Sequence, residues 1–93
     1  MKHKVEFKNN FKKGLGRYLS SGKDDTKIRY VINKLASGQK LEPKYNDHKL
    51  KGKYKEYREC HIEYDWLLMY KIENDKLILT LMDMGSHSDL FGK

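Results

Sequence analysis

Ile28, Val31, Ile32 and Leu35 fall at i, i+3, i+4 and i+7, a spacing that gathers apolar side chains on one face of an α-helix. This is the clearest helical periodicity in the chain, and from Tyr57 onward the pattern changes to that of β-strands. A helical stretch followed by a run of strands implies an α+β fold, with helices packed on an antiparallel sheet.

The remaining elements follow from the same two periods. Residues 3–7 alternate polar and apolar and predict a short strand. Phe11, Leu15, Tyr18 and Leu19 mark one face of a first helix. Gly14 and Gly16 weaken that helix by roughly 1 kcal/mol each relative to alanine. Gly22 is placed to cap it in the left-handed conformation. Asp24 or Asp25 caps the second helix, and Gly38 stops it. Two helices joined by about four residues form an antiparallel hairpin. Residues 39–54, with the only proline (Pro43) and closely spaced lysines, read as a long, ordered, basic loop. Strands are expected over 57–63, 66–73 and 76–82, with Asn74-Asp75 as a two-residue hairpin turn. The resulting order is βααβββ in a single domain over residues 1–93, with the helix pair on one sheet face and the other face open.

Charge narrows the function. The chain carries 20 Lys+Arg against 13 Asp+Glu, a net +7. Of these, 17 basic and 6 acidic residues lie in 1–58, whereas 3 and 7 lie in 59–93. A basic half of this kind is the electrostatic footprint of a polyanion partner. Only Arg17, Arg29 and Arg58 are arginines, so attraction to a phosphate backbone is a safer inference than base reading. The lone Cys60 excludes an internal disulfide and fits a reducing cytoplasm. There is no apolar run of membrane-spanning length and no signal-peptide core. Gly14 and Gly16 lie within a helical pattern, so the glycine-rich nucleotide loops are absent.

Three of the four histidines lie in segments rich in acids and cations. His48 sits in the basic loop. His61 shares a strand face with Tyr57 and Glu59, while Cys60 and Ile62 suit the core. His87 lies in a Gly-Ser-His-Ser loop after the third strand of this group, and Asp65 sits at a hairpin turn beside Trp66. Imidazole both gives and takes protons near neutral pH. Metal-free RNA cleavage needs a base for the 2′-OH, an acid for the 5′-oxygen and positive charge for the phosphorane, and all three kinds of group are present. Each has a plainer role: a surface histidine, a turn aspartate, a core tryptophan, a packing phenylalanine at Phe91. The histidines are spread from 48 to 87 without HxxxH or CxxC spacing, so no metal or cofactor is expected.

The strings Asp47-His48-Lys49-Leu50-Lys51-Gly52, Tyr57-Arg58-Glu59-Cys60-His61-Ile62-Glu63-Tyr64-Asp65-Trp66 and Gly85-Ser86-His87-Ser88-Asp89-Leu90-Phe91 resemble the YafQ-like branch of the RelE/ParE toxin superfamily. That resemblance implies a RelE-like fold and a ribosome-dependent mRNA endonuclease. It also implies a toxin partnered by an acidic, partly disordered antitoxin, monomeric when free and hetero-oligomeric in the complex. The positions matching the family's active site are His48, His61, Asp65, Trp66, His87 and Phe91. By the same resemblance His87 is the general acid, and Asp65, His48 or His61 the base or orienter. Trp66 and Phe91 position nucleotides, and Lys49, Lys51, Lys53 and Arg58 are the candidate RNA-binding cations. One position departs: Asp83 stands where the family usually has arginine two residues before the glycine. Lys51, Lys53 or Arg58 are then candidates to supply the missing charge. Alternative readings are a weakened or inactive module that still binds antitoxin and ribosome, and a ParE-like gyrase inhibitor.

Overall fold

The computed structural model describes residues 2–92. Strand β1 (Lys4–Phe7) leads into helix α1 (Asn9–Ser20) and helix α2 (Thr26–Ala36). After two single 3₁₀ turns, at Pro43–Tyr45 and Gly52–Tyr54, flanking strand β2 (His48–Lys49), the chain runs through β3 (Arg58–Glu63), β4 (Trp66–Glu73) and β5 (Ile78–Gly85). It closes with a short helix, α3 (His87–Phe91). The α+β class and the helix pair followed by strands stand as expected from the sequence.

The sheet has five strands in the order β1-β5-β4-β3-β2. β1 pairs with β5 in parallel and the other neighbours are antiparallel, so the sheet is mixed and not the wholly antiparallel one expected from the sequence. The region over 39–54 is therefore more than a loop, because it contributes an edge strand. β2 is two residues long, and its pairing with β3 defines it rather than any run of β-formers. The hairpin after β4 is also longer than expected. Its turn covers residues 74–77, with Leu77 at φ +54°, and the last strand extends to Gly85.

The main core lies between the helices and one sheet face. It contains Phe11, Tyr18, Ile28, Val31 and Leu35 from the helices, and Cys60, Leu68, Tyr70, Leu79, Leu81 and Met84 from the strands. Fully burying each aliphatic side chain contributes about 1.5–3 kcal/mol. Leu19 does not join this face and is largely exposed. Gly14 takes its place in the contact, buried where α1 crosses β5. A β-carbon on Gly14 would lie 1.9 Å from the carbonyl oxygen of Met84, so the residue that weakens the helix locally permits its docking. Asp24 Oδ1 accepts from the Thr26 N–H at 3.0 Å ahead of α2.

The second sheet face is not fully open. Leu67, Met69 and Leu90 form a smaller cluster there, flanked by Leu50, Tyr54, Tyr57, Met82 and Phe91. The basic segment and α3 thus cover part of it, and the remainder carries the histidines.

Candidate functional site

Alternation along β3 turns Cys60 and Ile62 into the main core and Glu59 and His61 to the second face. Cross-strand register assembles the rest. His48 lies opposite Glu59, Glu59 opposite Met69, and Met69 opposite Asp83, one row across four strands. In a neighbouring row His61 faces Leu67, and Leu67 faces Gly85, which delivers the chain to Ser86 and His87. The Ser86 hydroxyl accepts from the Asp89 N–H, and the Asp89 carboxylate accepts from the Ser86 N–H. His87 is therefore the first residue of a capped helix and not part of a loop. The Ser86-to-Asp89 spacing is the sequence signal for that cap.

Five side chains meet closely. His48 Nε2 is 3.3 Å and His61 Nε2 3.9 Å from Glu59 Oε1. The His61 and His87 rings stand edge to face with centroids 5.9 Å apart. Asp65 Oδ1 accepts from the His87 backbone N–H at 3.2 Å and lies 3.1 Å from its Nδ1. A carboxylate only accepts, so Nδ1 carries the proton in this contact and Nε2 is the nitrogen left for chemistry. The bond from the His87 ring, followed by that from its backbone, holds the Asp65 carboxyl below its ordinary value. His48 is oriented in the same manner. Its Nδ1 lies 2.7 Å from the Asn46 carbonyl, which leaves Nε2 facing Glu59.

Glu59 is the member whose role the sequence does not disclose. Alternation puts it beside His61, but only the structure shows that it is 3% exposed. Its Oε2 has no hydrogen-bond partner among the described residues. A buried carboxylate with one free oxygen is expensive to maintain, and beside two histidines it is a candidate functional group. Cys60, on the opposite face and fully buried, has its thiol pushed up by burial above all, and is no nucleophile.

Not every expected residue joins the cluster. Trp66 packs on the helix side, edge to face with Tyr18 at 5.1 Å between centroids. Arg58 is engaged by Asp47 and by the Tyr70 hydroxyl, each 3.3 Å from its Nε. Lys49 pairs opposite Arg58, alternating away from His48. Lys51 is exposed, and Lys53 lies over the Tyr54 ring at 5.3 Å. Phe91 does lie near the cluster, its ring centroid 6.4 Å from that of His87 and 5.4 Å from that of Tyr54.

Asp83 reaches this face through a bulge. Leu79 and Leu81 point into the main core, so strict alternation would send Asp83 after them. The register shifts between Met69 and Tyr70, and Met82 and Asp83 both come to the second face. Asp83 then lies two strands from Glu59, on the order of 10 Å away across the sheet. It shares a cleft with Lys53, Tyr54 and Asp89. Partial burial raises its carboxyl above the ordinary value, only partly opposed by the Met84 N–H and Arg17. A raised acid pKa favours folding while the group is protonated, and that advantage is lost as pH rises through the folded value. Asp83→Asn is accordingly expected to raise the melting temperature at pH 7, with a gain that vanishes below the ordinary aspartate range. Thermal melts of both proteins from pH 3 to pH 8 check this, and a gain independent of pH would contradict it.

The family described as bacterial toxin of type II toxin–antitoxin system, YafQ, matches residues 3–92. A protein of Escherichia coli K12 named mRNA interferase toxin YafQ is 36% identical over 89 residues, 95% of each chain. A metal-bound toxin from Helicobacter pylori matches with a TM-score of 0.89 at 42% identity, covering 98% of this chain and all of that one. A chain of the E. coli DinJ–YafQ complex matches with a TM-score of 0.86 at 32% identity, over 97% of this chain and 99% of that one.

Proposed function

As this chain belongs to the YafQ family of type II toxin–antitoxin toxins, we propose that it is an endoribonuclease that cuts messenger RNA on translating ribosomes. A cognate antitoxin restrains it in the cytoplasm. The observation that carries this reading is the convergence of Glu59, His48, His61 and the Asp65-oriented His87 on one sheet face.

The cluster supplies each role that RNA cleavage requires. Glu59, whose Oε2 is free, takes the proton from the 2′-OH. The 2′-oxygen attacks phosphorus, and the P–O5′ bond breaks. His87 delivers a proton from Nε2 to the departing 5′-oxygen, leaving a 2′,3′-cyclic phosphate. His48 and His61 flank the carboxylate and donate to the phosphorane oxygens when protonated. Asp65 acts through His87 as its orienter. Phe91 stacks on a nucleotide beside His87, and Lys51 and Lys53 draw the phosphate backbone toward the cluster. The net charge of +7 suits both RNA and an antitoxin with an acidic, partly disordered segment that orders on binding.

Primer extension on a translated reporter message and on its untranslated counterpart tests the reading. Cuts confined to the translated message are expected. Cuts in both would remove the dependence on the ribosome, and cuts in neither would remove the nuclease. Asp83 supports a second reading, a module that binds antitoxin and ribosome without cutting, because it places an acid on the catalytic face. Asp83→Arg distinguishes the two: gain of cleavage from a silent parent favours the second reading, whereas cleavage already present in the parent excludes it.

A further inference from the structure

Beside the histidine cluster, the second sheet face holds a cleft of about 540 Å3. The strand residues Met69 and Met82 form its floor, Tyr54 and Tyr57 stand at its side, and Asn10 and Asp83 bring polar groups to it. We propose that this cleft binds a guanine base of the single-stranded RNA substrate, and that Asp83 reads that base and so selects which sequences are cut. The proposal rests on the nuclease reading given above and adds a sequence preference to it.

Three observations point to a base. The first is the lining: two half-buried tyrosine rings and two thioethers offer the flat, polarisable surface on which bases stack. The second is position. His48, Glu59, Met69 and Asp83 form one register row from the cluster to the cleft. Asp83 thus stands on the order of 10 Å from Glu59, comparable to the span from a phosphate to the pairing edge of its own purine. The Tyr54, Phe91 and His87 rings follow one another at 5.4 and 6.4 Å, which joins the cleft to the proton donor. The third is that Asp83 is the uncommitted acid. Asp89, the other carboxylate here, is held by the cap of α3 and by Arg17 at 3.8 Å. Asp83 accepts through Oδ1 from the Met84 N–H at 2.8 Å, and among the described residues it forms no ion pair.

The chemistry of the acid names the base. An ionised carboxylate only accepts. Phosphates bring no donors to it, so on a face that draws RNA its partner must be a base. Guanine alone presents two adjacent donors, N1–H and N2–H, on its pairing edge, and these match the two carboxylate oxygens. Adenine and cytosine place a bare ring nitrogen beside their amino group, and uracil flanks its single N–H with carbonyls. Each of these sets acceptor against acceptor. The guanine O6 is left for the Asn10 amide, which lines the same cleft. Lys53, whose Nζ lies 5.3 Å from the centre of the Tyr54 ring, brings a cation for the phosphate.

NMR titration of the full chain with GMP, AMP, CMP and UMP is the first test, because it requires no cleavage. GMP should shift the methyl signals of Met69 and Met82 and the ring signals of Tyr54 and Tyr57. It should bind about 5- to 150-fold more tightly than the other three, the worth of one bidentate base contact. The imidazole signals of His3, buried and bonded to Ala36 and Asn74, should not move, and this control reports an intact fold. Asp83→Asn replaces one acceptor oxygen with a donor, so preference should pass from guanine to adenine or cytosine. In the primer-extension assay, guanine should recur at one fixed position beside the cut, and the Asp83→Asn protein should cut a different set of sites. No GMP binding at the cleft, equal binding of the four nucleotides, or a guanine preference that survives Asp83→Asn would overturn the proposal. Cuts without a recurrent guanine would overturn its role in site choice and leave the nuclease reading standing. Guanine bound in the cleft of a protein that never cleaves would retain the base site and defeat the nuclease reading.

Discussion

Alanine in place of His87 is expected to slow cleavage of a translated message about 10²- to 10⁴-fold, the usual contribution of one positioned proton donor. Folding and antitoxin binding should be retained. The side chain is 59% exposed, and so is 54% of that of its partner Asp65, so the contact it loses is a solvent-screened surface one that adds little to stability. The cap of α3 is built by Ser86 and Asp89 and survives the change, and alanine is a good helix former. The loss should therefore appear in the cleavage rate with the melting temperature and antitoxin affinity held constant. Undiminished cleavage by His87→Ala would show that the proton comes from elsewhere. Asp65→Asn is expected to have a smaller effect in the same direction, since it disturbs the orientation of the ring and leaves the ring in place.

The second large effect concerns stability and depends on two glycines two residues apart in α1. Gly14→Ala adds a methyl group 1.9 Å from the Met84 carbonyl oxygen, too close for any contact between non-bonded atoms. Intrinsic propensity favours alanine by about 1 kcal/mol. The overlap opposes it with a backbone atom of a core strand, which cannot rotate away, and overpacking of this kind costs about 1–3 kcal/mol, occasionally more. The overlap wins. For a domain of this size each kcal/mol lowers the melting temperature by roughly 4–8 °C. Gly16→Ala meets nothing within 4 Å and should stabilise by about 1 kcal/mol at most. Opposite signs from two identical substitutions on one helix are the expected outcome of paired thermal melts. A stabilised Gly14→Ala protein would mean that α1 does not cross β5 as closely as described.

The parts legible in the sequence were those that local period encodes. Ile28, Val31 and Leu35 specify α2, and Cys60 and Ile62 orient β3, so the placement of Glu59 and His61 on a shared face follows. What the sequence withheld was non-local. β2 exists because His48 and Lys49 find partners in β3, and two residues carry no periodicity. The bulge opposite Met69 and Tyr70 breaks the alternation that would have buried Asp83. Trp66 is aromatic and adjacent to Asp65, yet the two diverge: Trp66 turns to Tyr18 while Asp65 turns to His87. Arg58, one residue before Glu59, is diverted by Asp47 and Tyr70. The helix start that presents His87 was expected as a loop, although the Ser86-to-Asp89 spacing carries the local signature of the cap.

β5 has a consequence for the order in which this molecule assembles. Among the described residues it is the only strand that pairs with β1, it carries the Met84 carbonyl on which α1 seats, and it leads directly to His87. Residues 4–7 must wait for residues 78–81 before they join a sheet, so most of the loop-closure entropy is lost in one late step. Until that step α1 lacks the strand on which it seats, and His87 is not brought to the face that His48 and His61 share. On the function proposed above, a partly folded chain lacks its proton donor at the cluster, and cleavage arrives together with global stability rather than ahead of it.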